Sequence, residues 1–165
     1  MKGHKLVVRK ILLGIVLVSL AAVITVFIKE SLDTQDPESA LPLITVKYNS
    51  GEMSAQNIYR AGYQWSFFTT VEDWQAPSLS PEDLPITPVD IQPGTPIQIS
   101  FSSTPSELRI WRAAGRYSTD FLELSCPVTG EFTAPASPGI YLYRVVASWG
   151  NRGEIQYYFA LSVIG

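Results

Sequence analysis

The sequence predicts an all-β domain carried behind a single transmembrane helix. Three observations carry that prediction. Residues Ile11 to Ile28 form an uncharged run of 18 residues, short β-rich runs with alternating polarity recur from Leu43 onward, and no apolar stripe with the 3.6-residue period of a long helix follows residue 30.

The apolar run, ILLGIVLVSLAAVITVFI, reaches about 27 Å as a helix, close to the ~30 Å hydrocarbon core of a bilayer. Lys2, Lys5, Arg9 and Lys10 precede it, whereas Lys29 follows it among Glu30, Asp33, Asp36 and Glu38. This bias of basic residues places the tail 1–10 in the cytoplasm and the chain beyond the helix outside the cell. A cleaved signal peptide also begins with a basic region and an apolar stretch, and Ser19-Leu20-Ala21 offers a small-x-small cleavage site. Cleavage there leaves AVITVFI at a new N-terminus, a poor start for a secreted chain, so an uncleaved signal anchor at 11–28 is the favoured reading. Lipid attachment behind the signal is excluded, because Cys126 is the only cysteine.

Charge divides at the same place. The chain has a formal net charge of −3, yet residues 1–29 hold five Lys/Arg and no acid, while residues 30–165 hold 15 acids and seven bases, a balance of −8. An acidic domain lacks the broad basic field that nucleic acid or anionic lipid requires, so no nucleic-acid partner is expected. Arg109, Arg112 and Arg116 form one local cluster, read as a solvated face with an anion pocket as the alternative. A lone cysteine makes no internal disulfide, and Cys126, following Phe121-Leu122-Glu123-Leu124, is expected to be a buried, inert thiol.

Residues 29–42 are acidic, contain Pro37 and Pro42 and show no period, and so read as a flexible linker. The β domain, 43–165, opens with Leu43 to Tyr48, ended by the turn Asn49-Ser50-Gly51. Asn57 to Phe68 is a longer strand in which Gly62 marks a bulge or a close approach of backbones. Thr69 to Pro85 reads as the longest loop, with a short helical turn capped by Ser80 in Ser80-Pro81-Glu82-Asp83. Pro93-Gly94 turns into Ile97 to Phe101, and Glu107 to Arg112 alternates again. Weaker strands fall near Asp120 to Cys126 and Gly130 to Thr133.

The best pattern comes last. Tyr141, Tyr143, Val145, Ala147 and Trp149 share one strand face, Ile155, Tyr157, Phe159, Leu161 and Val163 share a face of the next, and Gly150-Asn151-Arg152-Gly153 lies between them. Two period-2 runs joined by a short Gly/Asn turn predict a β-hairpin with a core face. About eight short strands with frequent turns then predict an immunoglobulin-like β-sandwich, a signature that barrels share.

The residues supply little chemistry. His4, the only histidine, falls in the basic tail, so the ordinary parts of a serine or cysteine hydrolase or a catalytic zinc site are missing from the domain. Glu72, Asp73, Glu82 and Asp83 lie in the longest loop, where paired-carboxylate catalysis or calcium binding are minor readings beside solvated charge. No nucleotide, redox or metal motif occurs, and no cofactor is expected. The four tryptophans and eight tyrosines are the other positive feature. Tyr63, Trp65, Trp111, Tyr141, Tyr143 and Trp149 are assigned mainly to packing, and Trp74 is the tryptophan expected to be exposed and free to stack on a sugar or anchor a partner.

Tyr63-Gln64-Trp65, the proline-rich acidic loop, Ile99-Ser100-Phe101 with Pro105 and Leu108-x-x-Trp111, and then Pro138-Gly139-x-Tyr141-x-Tyr143, Ala147-x-Trp149 and Tyr157-x-Phe159 follow in order. This order, over roughly residues 43–164, resembles a module of small lipoproteins and membrane-anchored proteins of Gram-positive bacteria, also found attached to membrane peptidases resembling the β-lactam receptor family. The resemblance implies a β-sandwich at the cell surface and brings no catalytic residue. The chain departs from the module at Ala61, where the family has glycine, and at Trp74-Gln75-Ala76-Pro77, which replaces an acidic-His-Pro element. The resulting expectation is a non-enzymatic extracytoplasmic binding or sensing module, anchored in the membrane through residues 11–28, with a cell-surface protein or peptide as partner. The alternative is a wall-polysaccharide or peptidoglycan binder using exposed aromatics. Candidate contact residues are Trp74, Glu72, Asp73, Arg109, Arg112 and Arg116.

Overall fold

The computed structural model describes residues 2–49, 51–67, 70–76, 80–81 and 83–165, with side chains from Val7 onward. The N-terminal run forms α1, Lys2–Asp33. Every side chain from Val7 to Lys29 is exposed, so the helix presents an apolar surface on all sides. A helix of that kind is stable only inside a membrane or against another apolar surface. Its stretch Val7–Asp33 is long and apolar enough to cross a bilayer.

The helix does not stop at Ile28. It continues through the first five residues of the expected linker, where Lys29 and Asp33 pair at 3.5 Å, one turn apart. Adding residues to a formed helix costs far less than nucleating one, and such pairs support the extension. A short helix, α2, follows at Pro37–Ala40 with proline in its first turn.

Residues 42–66 and 71–165 make up a compact β unit. Its described strands are β1 (Ile44–Tyr48), β2 (Gly51–Glu52), β3 (Ile58–Ser66), β4 (Val71–Gln75), β5 (Val89–Ile91), β6 (Pro96–Phe101), β7 (Glu107–Ala114), β8 (Phe121–Leu124), β9 (Glu131–Thr133), β10 (Gly139–Ser148) and β11 (Gly153–Val163). One sheet has the order β2-β1-β6-β9, and the larger one runs β4-β3-β11-β10-β7-β8 with β5 added parallel to β11.

The predicted hairpin is the centre of the larger sheet. β10 and β11 pair without interruption from Gly139↔Val163 to Ser148↔Glu154. Tyr143, Val145, Ala147, Ile155, Tyr157, Phe159, Leu161 and Val163 are all buried, and so are Val46, Ile97 and Ile99 of the smaller sheet. Aromatic contacts join the two sheets: Phe101 meets Trp149 at 5.3 Å and Tyr157 at 6.1 Å, and Phe132 meets Tyr143 at 5.3 Å between ring centres. The core therefore lies between two facing sheets. In its middle the cross-strand pair Tyr143 and Phe159 stacks at 4.9 Å with ring planes 3° apart.

Three features differ from expectation. Residues 71–75, placed in the longest loop, form edge strand β4, because pairing with β3 satisfies their backbone despite Glu72 and Asp73. Val89–Ile91 adds parallel to β11 although three residues between prolines show no readable period. The Ser80 segment makes a turn, with the Asp83 amide donating to the Ser80 carbonyl at 2.9 Å and the Ser80 hydroxyl to the Asp83 carboxylate at 2.8 Å; Glu82 lies outside the described residues.

A second, smaller core lies on the other face of the large sheet. Leu84 and Ile86 pack with Ala113, Leu142 and Ala160, flanked by Tyr59, Phe121 and Tyr158. The covering segment is pinned where Asn57 Nδ2 donates to the Thr87 carbonyl at 2.9 Å and Arg116 Nη2 to the Ile86 carbonyl at 3.0 Å.

Two stability predictions follow from the hairpin. Gly153 has φ +135° and an added Cβ would stand 1.9 Å from the Gln64 carbonyl oxygen, so Gly153→Ala separates β11 from β3. A loss of about 2–4 kcal/mol is expected in chemical denaturation, and a change below ~0.5 kcal/mol would contradict this close approach. Burial pushes the Tyr143 hydroxyl up to about 12, with the Arg112 guanidinium pulling the other way. An unfolded tyrosine ionises near pH ~10, so its stabilising effect is complete below that pH and is lost as the pH rises toward about 12. Tyr143→Phe is expected to flatten this alkaline loss by on the order of 2 kcal/mol, read from denaturation midpoints at about pH 9 and about pH 11.5. Burial raises Tyr157 too, so part of the slope remains in the variant.

Candidate functional site

On the outer face of the large sheet, β4, β3 and β11 lie side by side and their alternating side chains form rows. Register places Asp73, Gln64 and Glu154 in one row, and Gln75, Gly62 and Gln156 in the next. The register between β3 and β11 then shifts between Gln156 and Tyr157, leaving Ala61 as the extra residue of a bulge before Tyr59 pairs with Tyr158. On the other side of β3 the Ala61 carbonyl accepts the Ala76 amide at 2.8 Å, continuing the pairing with β4.

Gly62 fulfils both readings of its place in the sequence, beside a bulge and at a close approach. An added Cβ would lie 3.0 Å from the Trp74 carbonyl oxygen, a contact so tight that β4 would have to give by a few tenths of an ångström. Gly62 itself is buried, with the Gln75 Cγ 3.4 Å from where a Cβ would stand. Together these rows and Leu84 line a groove of about 460 Å³.

Its chemistry is polar. Gln156 Nε2 donates to the Tyr158 hydroxyl at 3.0 Å, fixing that carboxamide. Asp73 and Glu154 are exposed, and no lysine or arginine is among the lining residues. Among the described residues no three His, Cys, Asp or Glu side chains come together as a metal site.

Of the six candidate contact residues, only Asp73 is among the residues lining this groove. Trp74 lies on β4 rather than in a loop, across from Tyr63, and stacks on it at 5.9 Å with planes 28° apart. It is 39% exposed, and strand alternation turns it to the face opposite Asp73 and Gln75. Glu72 follows Trp74 to that face and is half-buried. The adjacent carboxylates Glu72 and Asp73 thus diverge.

The arginine cluster also separates. Arg109 and Arg112 are three apart on β7, which sends them to opposite faces. Arg109 donates to both Glu123 carboxylate oxygens, at 3.0 and 3.2 Å, and this bonding and the guanidinium charge hold Glu123 below the usual carboxylate range. The Trp111 ring carries Arg109 at 4.7 Å and Arg144 at 4.3 Å, both within cation–π range. Arg112 stands over Tyr141 at 5.7 Å, and Arg116 holds the covering segment through Ile86. Each is engaged with its own partner, and the three do not converge on one pocket.

Sequence reasoning passed over Gln64, Gln75, Glu154, Gln156, Tyr59 and Tyr158. The available signal was the row of amides and acids on the polar positions of β3 and β11. It has meaning only once β4 is known to be a strand and the order β4-β3-β11 is set.

Cys126 lies beyond the end of β8 and is half-buried, less enclosed than expected. Burial, and then the charge of Glu123, push its thiol above the ordinary value. Its alkylation at about pH 8 is expected to be several-fold slower in the folded chain than in denaturant; equal rates would show a freely reactive thiol.

No protein-family model matches the chain, and no curated protein matches it.

Proposed function

We propose that this chain is a single-pass, membrane-anchored binding or sensing module whose β unit works outside the cell without catalysing a reaction. The observation that carries this reading is the pairing of an apolar helix exposed on every side with a β unit that bears an open polar groove. The four basic residues before the apolar run support a cytoplasmic N-terminus. Two facing, mainly antiparallel sheets support the immunoglobulin-like class and the likeness to the surface module of Gram-positive bacteria. The ligand is taken from the cell surface, at the groove.

A second reading, a wall-polymer binder, gains from the groove and loses from Trp74. The tryptophan is half-covered by Tyr63, whereas the amides, carboxylates and tyrosines of the groove offer a hydrogen-bonding surface.

Orientation is tested with Gln35→Cys in a Cys126→Ser background, using a membrane-impermeant maleimide on intact cells. Labelling before permeabilisation is expected, and labelling only after it overturns the extracytoplasmic assignment. Binding is tested by capturing cell-envelope material with the full-length chain in detergent. At least tenfold less captured material with Gln64→Arg than with the native chain is expected; equal capture overturns the groove as the binding surface.

A further inference from the structure

The groove selects a ligand class by its shape and by the groups it lacks. Asp73 and Glu154 flank Gln64 at two strand spacings, ~10 Å across the sheet, a span that suits a short oligosaccharide. Each carboxylate accepts hydrogen bonds through two oxygens, and each carboxamide of Gln64, Gln75 and Gln156 both donates and accepts. Neighbouring hydroxyl groups on a sugar ring need this pairing of close acceptors and donors. Tyr59 and Tyr158, beyond the bulge, add ring surface with a polar tip at one end.

Charge narrows the class. Among the described residues no cation lines the groove, so a ligand carrying carboxylate, sulfate or phosphate meets the like charges of Asp73 and Glu154. The described lining is poor in what a peptide needs: among the described residues Leu84 is its one large aliphatic side chain, and it is already buried in the small core. Hydroxyl-rich ligands fit better than apolar anchors.

We propose that the outer-face groove over β4, β3 and β11 is a glycan site selective for sugars without acid groups, with Asp73, Gln64 and Glu154 as its principal hydrogen-bonding row. The inference rests on the reading of the chain as a surface binding module. Gln75 and Gln156 contact the sugar from the neighbouring row, and the two carboxylates favour an amino sugar over its N-acetylated counterpart.

Titration calorimetry of the full-length chain in a polyoxyethylene detergent, which carries no competing sugar headgroup, tests this with four probes. These are tetramers of N-acetylglucosamine, glucosamine, galacturonic acid and lysine. Both hexosamine tetramers are expected to saturate. The glucosamine tetramer should bind at least about threefold more tightly at low salt, an advantage that shrinks as ionic strength rises. The galacturonate tetramer should show no heat of binding. Gln64→Ala should weaken both hexosamine tetramers about tenfold, and Asp73→Asn with Glu154→Gln should remove the amine preference while N-acetylglucosamine binding persists. Circular dichroism identifies any variant that fails to fold; Gln64→Ala and Gln75→Ala are separate replacements at exposed positions and provide two independent readings of the site.

Equal binding by the galacturonate tetramer, unchanged sugar binding in the Gln64 and Gln75 variants, or tetralysine binding as tightly as the glucosamine tetramer each overturns the glycan assignment. If no sugar saturates while envelope capture remains sensitive to Gln64→Arg, the glycan inference fails and the surface-module reading stands. Loss of both signals overturns both.

Discussion

The ladder between β10 and β11 is the constraint on which the rest of the β unit depends. β7 attaches to β10 and carries β8, while β3, carrying β4, and the short β5 attach to β11, so every other described strand of the large sheet joins it through this hairpin. At its centre Tyr143 and Phe159 are fully buried and stacked directly across the ladder. Each side chain contributes about 1.5–3 kcal/mol by leaving water, and a stacked pair adds ~0.5–1.5 kcal/mol. With Cys126 as the only cysteine, no internal disulfide supplements this packing. The aromatic layer from Phe101 and Phe132 to Trp149, Tyr157 and Tyr143 is what joins the sheets.

The same large sheet treats its outer face in two ways, and the bulge at Ala61 marks the boundary. On one side of it, small and aliphatic residues, Ala113, Leu142 and Ala160, are flat enough to accept Leu84 and Ile86 as a lid. On the other, amides and acids occupy the outward positions, and no apolar cover is favourable there. Tyr59 and Tyr158 stand at the junction, flanking the small core and lining the groove. Gly62 completes the arrangement by letting the backbone of β4 approach β3 closely beside the bulge. A structural necessity, β4 lying close to β3, leaves a concavity as its by-product.

What could be read from the sequence depended on whether the signal was local. The β10–β11 hairpin was legible because both strands are long, alternate strictly and are joined by Gly150 to Gly153. Gly62 was legible for a similar reason: a glycine inside a strong strand pattern marks a bulge or a neighbouring backbone that leaves no room for a side chain. β4 was not, since Val71-Glu72-Asp73-Trp74-Gln75 has the composition of a surface loop and becomes a strand only by hydrogen bonding to β3. The same reason hides the site: in a loop Glu72, Asp73 and Trp74 would form one exposed group, whereas strand alternation divides them between two faces. The arginines divided by the same rule, since spacing along the chain gives proximity but pairing decides direction.

Charge and hydrogen bonding contribute differently at the groove. Residues 30–165 carry a balance of −8, so an acidic ligand is disfavoured over much of the domain, before it reaches Asp73 or Glu154. Such a field discriminates between partners and alters encounter rates, but it is screened over ~8 Å at physiological salt and does not orient a neutral molecule. Orientation has to come from groups that are fixed and directional. Gln156 is held by Tyr158, and the register of β3 with β4 puts Gln64 and Gln75 on the same face. For the proposed glycan, the carboxylates would then add exclusion of acidic ligands to their hydrogen bonds, while the amides would act through hydrogen bonding alone. Both depend on the backbone ladder that brings three strands, separated in sequence, into adjacent rows.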